Sequence, residues 1–121
     1  MTAEITVVIP THNRAQLMPK TLRSVLRQRG VELEVVVVDD GSSDATPEIL
    51  QRIRDPRVRW LRHEEPQGVA NARNLGFVAV DTPWVAFTDD DDLWAPDKLA
   101  CQLAARRAAP WAQWSSVVRW W

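Results

Sequence analysis

The chain has 121 residues, 45% hydrophobic and 26% charged, which suits one packed domain and leaves no room for a second. A formal net charge of −1 gives no electrostatic reason to expect nucleic acid or an anionic membrane surface as a partner. A single cysteine, Cys101, excludes an internal disulfide, and no signal peptide or apolar run of membrane-spanning length occurs, so a cytoplasmic protein is expected, peripheral at the cytosolic membrane face at most.

Ile5–Ile9 is a β-branched run stopped by Pro10, which predicts a first strand. Thr11–Arg14 is a polar turn with Asn13 as the expected N-cap of a helix over residues 14–29. That helix places Met18, Leu22, Val25 and Leu26 on one face and is closed by Gly30. Val35–Val38 is apolar at every position, as in a strand covered on both faces. Asp39-Asp40-Gly41-Ser42-Ser43-Asp44 turns into a second helix with Pro47 in its first turn and Ile49, Leu50 and Ile53 following. Arg57–Arg62 alternates in part and predicts a strand nearer an edge. Residues 68–79 form a third helix with Ala72, Leu75 and Val78 on one side. After the strand Trp84–Phe87, a helix over residues 96–107 carries Leu99 and Leu103 inward, and Cys101 is expected as a small core residue. Residues 114–118 are expected to begin a fifth strand.

The strand Trp84–Phe87 runs into Thr88-Asp89-Asp90-Asp91-Asp92-Leu93-Trp94. Four adjacent carboxylates repel one another and need a cation or water. Trp84, Phe87, Leu93 and Trp94 hold the run on both sides, which argues against a merely solvated loop. Alternate carboxylates such as Asp89 and Asp91 supply hard oxygen ligands for Mg²⁺ or Mn²⁺, especially where substrate phosphates complete the shell. Alternating strands and helices predict an α/β fold, a parallel sheet with helices on its faces. In such a sheet the strand C-terminal ends share one edge, so Thr11, Asp39 and Asp89 should meet in one crevice.

Four segments carry a resemblance: residues 8–14 (Val-Ile-Pro-Thr-His-Asn-Arg), residues 37–44 (Val-Val-Asp-Asp-Gly-Ser-Ser-Asp), residues 68–74 (Gly-Val-Ala-Asn-Ala-Arg-Asn) and residues 87–92 (Phe-Thr-Asp-Asp-Asp-Asp). In this order they resemble the family 2 glycosyltransferases, over residues 4–105, with an atypical tail over 106–121. The resemblance implies a Rossmann-like, mostly parallel sheet of the glycosyltransferase A type. It also implies inverting transfer of a sugar from a nucleotide-diphosphate sugar, UDP favoured, to an acceptor hydroxyl with Mn²⁺ or Mg²⁺, as in polysaccharide biosynthesis. Thr11 and His12 then meet the nucleobase, Asp39 accepts the uracil ring N–H, Arg73 faces the diphosphate or ribose, and Asp89 lies near the ribose. Asp91 is implied as metal ligand, with Asp90 sharing it. The acceptor is a glycan, lipid or protein; nucleic acid is not an expected partner.

The chain departs from the family in one respect. Its members place the general base and most acceptor surface beyond the acidic run, and no acidic residue follows Asp97. The base is therefore expected beyond Trp121, and no catalytic residue is identified. The alternative is a truncated, non-catalytic nucleotide- and metal-binding remnant, or one half of a split enzyme. Five of the seven tryptophans lie after position 90, a density suited to association through the tail. A receiver domain is disfavoured because Asp39-Asp40 follow the second strand. A dinucleotide-binding dehydrogenase is disfavoured because no glycine-rich turn follows the first.

Overall fold

A computed structural model describes residues 3–108 and 117–119, the last three as backbone. Four parallel strands form the body of the sheet: β1 (Ile5–Thr11), β2 (Leu33–Asp40), β3 (Val58–His63) and β4 (Trp84–Phe87). A fifth, β5 (Val117–Arg119), pairs antiparallel with β4, and the order is β3-β2-β1-β4-β5. The expected start of that strand at 114–116 lies outside the described residues. As expected, β3 is an edge strand.

Helices cover both faces. Strand residues alternate between faces, so Ile5, Val7 and Ile9 of β1 with Leu33, Val35 and Val37 of β2 meet α1 (Met18–Leu26), α2 (Thr46–Arg52) and α4 (Lys98–Ala108). Val8, Val36 and Val38 face the opposite way, against α3 (Val69–Val78). This two-sided burial explains why β2 is apolar without interruption. Chain order proceeds outward from β1 to β3, then α3 crosses back so that β4 lies on β1's other side. The switch point is therefore between β1 and β4.

Several expectations are corrected. Helix α1 begins at Met18 instead of Arg14, after a turn in which the N–H groups of Leu17 and Met18 donate to the Arg14 carbonyl. Asn13, in the left-handed region at φ 51°, does not cap it. Its Oδ1 accepts from the backbone N–H groups of Ser43 and Asp44 at 2.7 and 3.2 Å, so it caps the turn after β2 instead. Helix α1 ends at Leu26, ahead of Gly30, and Arg29 N–H donates to the Pro96 carbonyl instead of extending the helix. Cys101 is exposed, because it sits two residues from both Leu99 and Leu103 and so falls on the opposite face of α4. Leu93 is 70% exposed and does not wall the acidic run, whereas Trp94 is buried.

The inner face of α3 also differs from expectation. Val78 is 77% exposed, and Ala72 and Gly76 are the residues buried. A helix seated this close to a sheet needs small residues at i and i+4, and a Cβ on Gly76 would lie 2.4 Å from Val8 Cγ1. Gly76→Ala should lower unfolding stability by about 1–3 kcal/mol, the range for overpacking a filled core, measured by urea denaturation. An unchanged midpoint would show that α3 can lift off the sheet at little cost.

Candidate functional site

Strand register builds the site. Thr11 is paired with Asp39 across β1 and β2, and Phe87 is level with Val8. Residues 88–92 therefore run on beside the last residues of β1. The result is a crevice of about 420 Å³ at the switch point, lined among others by Thr11, His12, Arg14, Asp40, Ala72 and Asp89. Asp90 and Asp91 also reach it. Thr11, His12, Asp89, Asp90 and Asp91, five of the expected residues, thus come together.

Asp39 does not line it. Asp39 and Asp40 are consecutive residues of β2 and leave the sheet on opposite faces. Asp39 is fully buried on the α1 side, where Oδ1 accepts Ser42 N–H at 3.0 Å and Oδ2 is hydrogen-bonded by Arg62 Nη1. Arg62 is its cross-strand neighbour on β3, and its Nη2 also donates to the Ser42 carbonyl at 3.1 Å. Asp40 points to the α3 side, where its register partner is His63. Asp40 Oδ1 accepts from His63 Nδ1 and Gln67 N–H, and Oδ2 from Gly68 N–H, each at 2.9 Å. The carboxylate so ties the end of β3 to the first residues of α3. Burial alone would raise the Asp40 pKa, but the Gln67 N–H, His63 and the Gly68 N–H together hold it below the ordinary 3.8.

The turn after β2 is held as tightly. Gly41 has φ +67°, and a Cβ there would meet Pro66 N at 2.4 Å, so glycine is required both by backbone conformation and by space. Since Asn13 Oδ1 is an acceptor, its Nδ2 is the donor toward His12 Nε2 at 3.2 Å. His12 Nδ1–H accordingly donates to the Asp40 carbonyl at 2.7 Å. His12 is exposed at the mouth of the crevice with its ring orientation fixed.

The acidic run divides by role. Carboxylate oxygens of Asp89, Asp91 and Asp92 all lie within 4.8 Å of one another, with every residue exposed. Asp90 turns away from that group: its Oδ2 accepts from Thr11 Oγ1 at 2.8 Å and its backbone carbonyl from Thr21 Oγ1 at 2.9 Å. Arg73 Nη2 meets Asp89 Oδ1 at 3.0 Å, and Arg14 Nη1 lies 3.9 Å from Asp91 Oδ2. Arg73 Nε is buried without a hydrogen-bond partner among the described residues, leaving a donor directed by the same side chain that meets Asp89. Three hard carboxylate oxygens in one cluster fit a divalent cation of the Mg²⁺ or Mn²⁺ kind.

Arg14, Arg62, His63 and Asp92 belong to the site without being among the residues expected from the sequence. Arg62 and His63 had a signal, because in-register parallel pairing of a strand ending Leu-Arg-His with one ending Val-Asp-Asp sets each base beside an acid. Asp92 had none, since a loop imposes no period on four identical neighbours.

An open, mostly parallel sheet with helices on both faces and an acidic crevice at its switch point fits a glycosyltransferase A-type domain, the fold shared with the solved relatives below. Residues 6–109 match the family described as Glycosyl transferase family 2, and the chain belongs to that family. It is 41% identical over 106 residues to the succinoglycan biosynthesis protein ExoO of Rhizobium meliloti (strain 1021), covering 88% of this chain and 30% of ExoO. The mannosyltransferase PcManGT from Pyrobaculum calidifontis, solved with GDP-Man and Mn²⁺, superposes with a TM-score of 0.77 at 34% identity, over 85% of this chain and 32% of PcManGT. S. aureus TarS 1–349 in complex with UDP-GlcNAc gives a TM-score of 0.79 at 28% identity, over 87% of this chain and 31% of TarS. The chain thus spans about a third of the length of these relatives.

Two outcomes follow from the carboxylate pair. Arg62→Ala leaves the buried Asp39 charge without its cation and should cost about 3–5 kcal/mol, visible in chemical denaturation. A carboxylate with a depressed folded pKa stabilises above its unfolded value and loses that contribution as pH falls through the folded one. The wild-type Tm should therefore fall more steeply below pH 3.8 than that of Asp40→Asn, in a scan across the acid range; parallel curves would show that the Asp40 contacts carry no linkage.

Proposed function

We propose that this chain is the donor-binding part of a family 2 glycosyltransferase, holding a nucleotide-diphosphate sugar together with Mn²⁺ or Mg²⁺ and, by itself, binding without transferring. The observation that carries this reading is the convergence in one crevice of Thr11, His12, Asp40, Asp89 and Asp91, with Asp92 completing a carboxylate cluster beside it and Arg14 and Arg73 flanking it. Two solved relatives hold a nucleotide sugar, one of them with Mn²⁺. The chain spans about a third of those relatives' length, so the reading is confined to the donor site. The acceptor, whether glycan, lipid or protein, would be engaged by a further part that also supplies the base. A cytoplasmic location at the membrane face belongs to the same proposal; no helix among the described residues is long and apolar enough to cross a membrane.

In this reading His12 stacks on the base and Thr11 orients Asp90. Arg73 faces the diphosphate through its guanidinium and stays opposite Asp89. Asp91 and its neighbours hold the cation, which when bound supplies charge neutralisation to a departing diphosphate. Asp90 would join the ligand set by giving up its Thr11 contact. Uracil recognition through Asp39 requires the Ser42 turn to shift, because Asp39 faces away from the crevice; Asp40 lies on the open side. UDP is the favoured nucleotide, with GDP as competitor.

Calorimetric titration of UDP with and without Mn²⁺ tests the reading. Binding should require the metal and weaken at least about tenfold in Asp91→Ala, the loss expected on removing a ligand to a bound cation. Asp39→Asn and Asp40→Asn, compared in the same titration, identify which carboxylate meets the base. Metal-independent binding, or none by a folded chain, refutes the donor site; sugar transfer to an acceptor by this chain alone refutes binding without transfer.

A further inference from the structure

Charge on this chain is segregated in a way that its net value of −1 conceals. From Thr11 to Val31 there is no acidic residue, while Arg14, Lys20, Arg23, Arg27 and Arg29 all fall in that span. Arg14 and Arg29, at the two ends, are paired with Asp91 and Asp97. Lys20, Arg23 and Arg27 lie between them, exposed on the outer face of α1 and its C-terminal extension. None of the three has a carboxylate partner among the described residues. The wet face of an amphipathic helix ordinarily mixes both signs.

These three cations line a second concavity of about 400 Å³, whose other wall is Leu93, Trp94 and Pro96. Leu93 protrudes, 70% exposed, whereas the Trp94 ring is buried and carries Lys98 Nζ 4.9 Å from its centroid. Leu17, 38% exposed, precedes Lys20 by three residues and so extends the same face.

We propose that this surface docks the domain on an anionic phospholipid bilayer, with Lys20, Arg23 and Arg27 among the headgroups and Leu93 in the interfacial layer. Unpaired basic residues beside a protruding aliphatic side chain are the recognisable form of an interfacial anchor. Nucleic acid fits less well, because the buried Trp94 ring offers bases no stacking platform. Each basic residue near an anionic leaflet strengthens binding about fivefold, so the three together account for about a hundredfold.

Co-sedimentation of the chain with vesicles tests this without any nucleotide, so its failure is separate from failure of the donor site. Vesicles of phosphatidylcholine mixed with phosphatidylglycerol should retain the protein at low salt and release it at high salt, and phosphatidylcholine alone should not retain it. The triple variant Lys20→Glu, Arg23→Glu, Arg27→Glu should lose binding about a hundredfold or more while keeping its circular dichroism and its UDP titration. Leu93→Ser should weaken the bound state with little change in salt dependence. Equal retention by both vesicle types, or by the triple variant, overturns the proposal. So does binding of inorganic diphosphate or of an oligonucleotide to the groove without binding to vesicles.

Discussion

Six carboxylates, from Asp39, Asp40 and Asp89 to Asp92, gather at one edge of a small sheet, and their mutual repulsion is the constraint that the local structure answers. It is answered in two ways. The pair on β2 is buried and satisfied from within the sheet, because the β2–β3 register places the Arg62 guanidinium against Asp39 and His63 Nδ1 in hydrogen bond with Asp40. The run after β4 is exposed, and Arg73 of α3 and Arg14 from the turn before α1 approach it at 3.0 and 3.9 Å. Buried pairs of the first kind keep their strength in salt, whereas exposed pairs of the second kind are screened. The inner acids therefore serve as fixed architecture, while the outer ones remain available to exchange an arginine for another cation.

Much of this could be read from the residues. Uninterrupted valines announced a strand covered on both faces, proline and glycine positions bounded the elements, and alternation of strands with helices implied the parallel sheet and its crevice. The division of labour between Asp39 and Asp40 could not be read, because it depends on β2 reaching Asp40 instead of ending at Val38. Those two further residues turn a loop motif into two sheet positions facing opposite ways. Asn13 was recognisable as a capping residue, but its partner lay about thirty positions away in the turn after β2, beyond anything local spacing reports. Gly76 was hidden for a related reason. Helical periodicity weighs large apolar residues, and the close approach of α3 to Val8 is made by their absence.

The distribution of charge deserves comparison with its total. Summed over the chain, acids and bases nearly cancel, yet locally they separate, with six carboxylates at the strand ends and three unpaired bases on the outer face of α1. A net charge close to zero excludes long-range steering by the whole molecule but says nothing of faces that differ in sign.

Helix α1 connects these two regions through neutral groups. Thr21 Oγ1 donates to the Asp90 carbonyl, Ser24 Oγ accepts Trp94 N–H, and the Gln28 side chain spans from the Ala95 carbonyl to Leu99 N–H. Four successive contacts, none involving an ion, hold the main chain within the acidic run and just after it. The backbone of the run is thus ordered by uncharged hydrogen bonds that neither salt nor protonation of its carboxylates removes. A cation entering the cluster would meet a frame whose conformational entropy was already lost on folding, so that only side-chain rotamers remain to be ordered by the ligand.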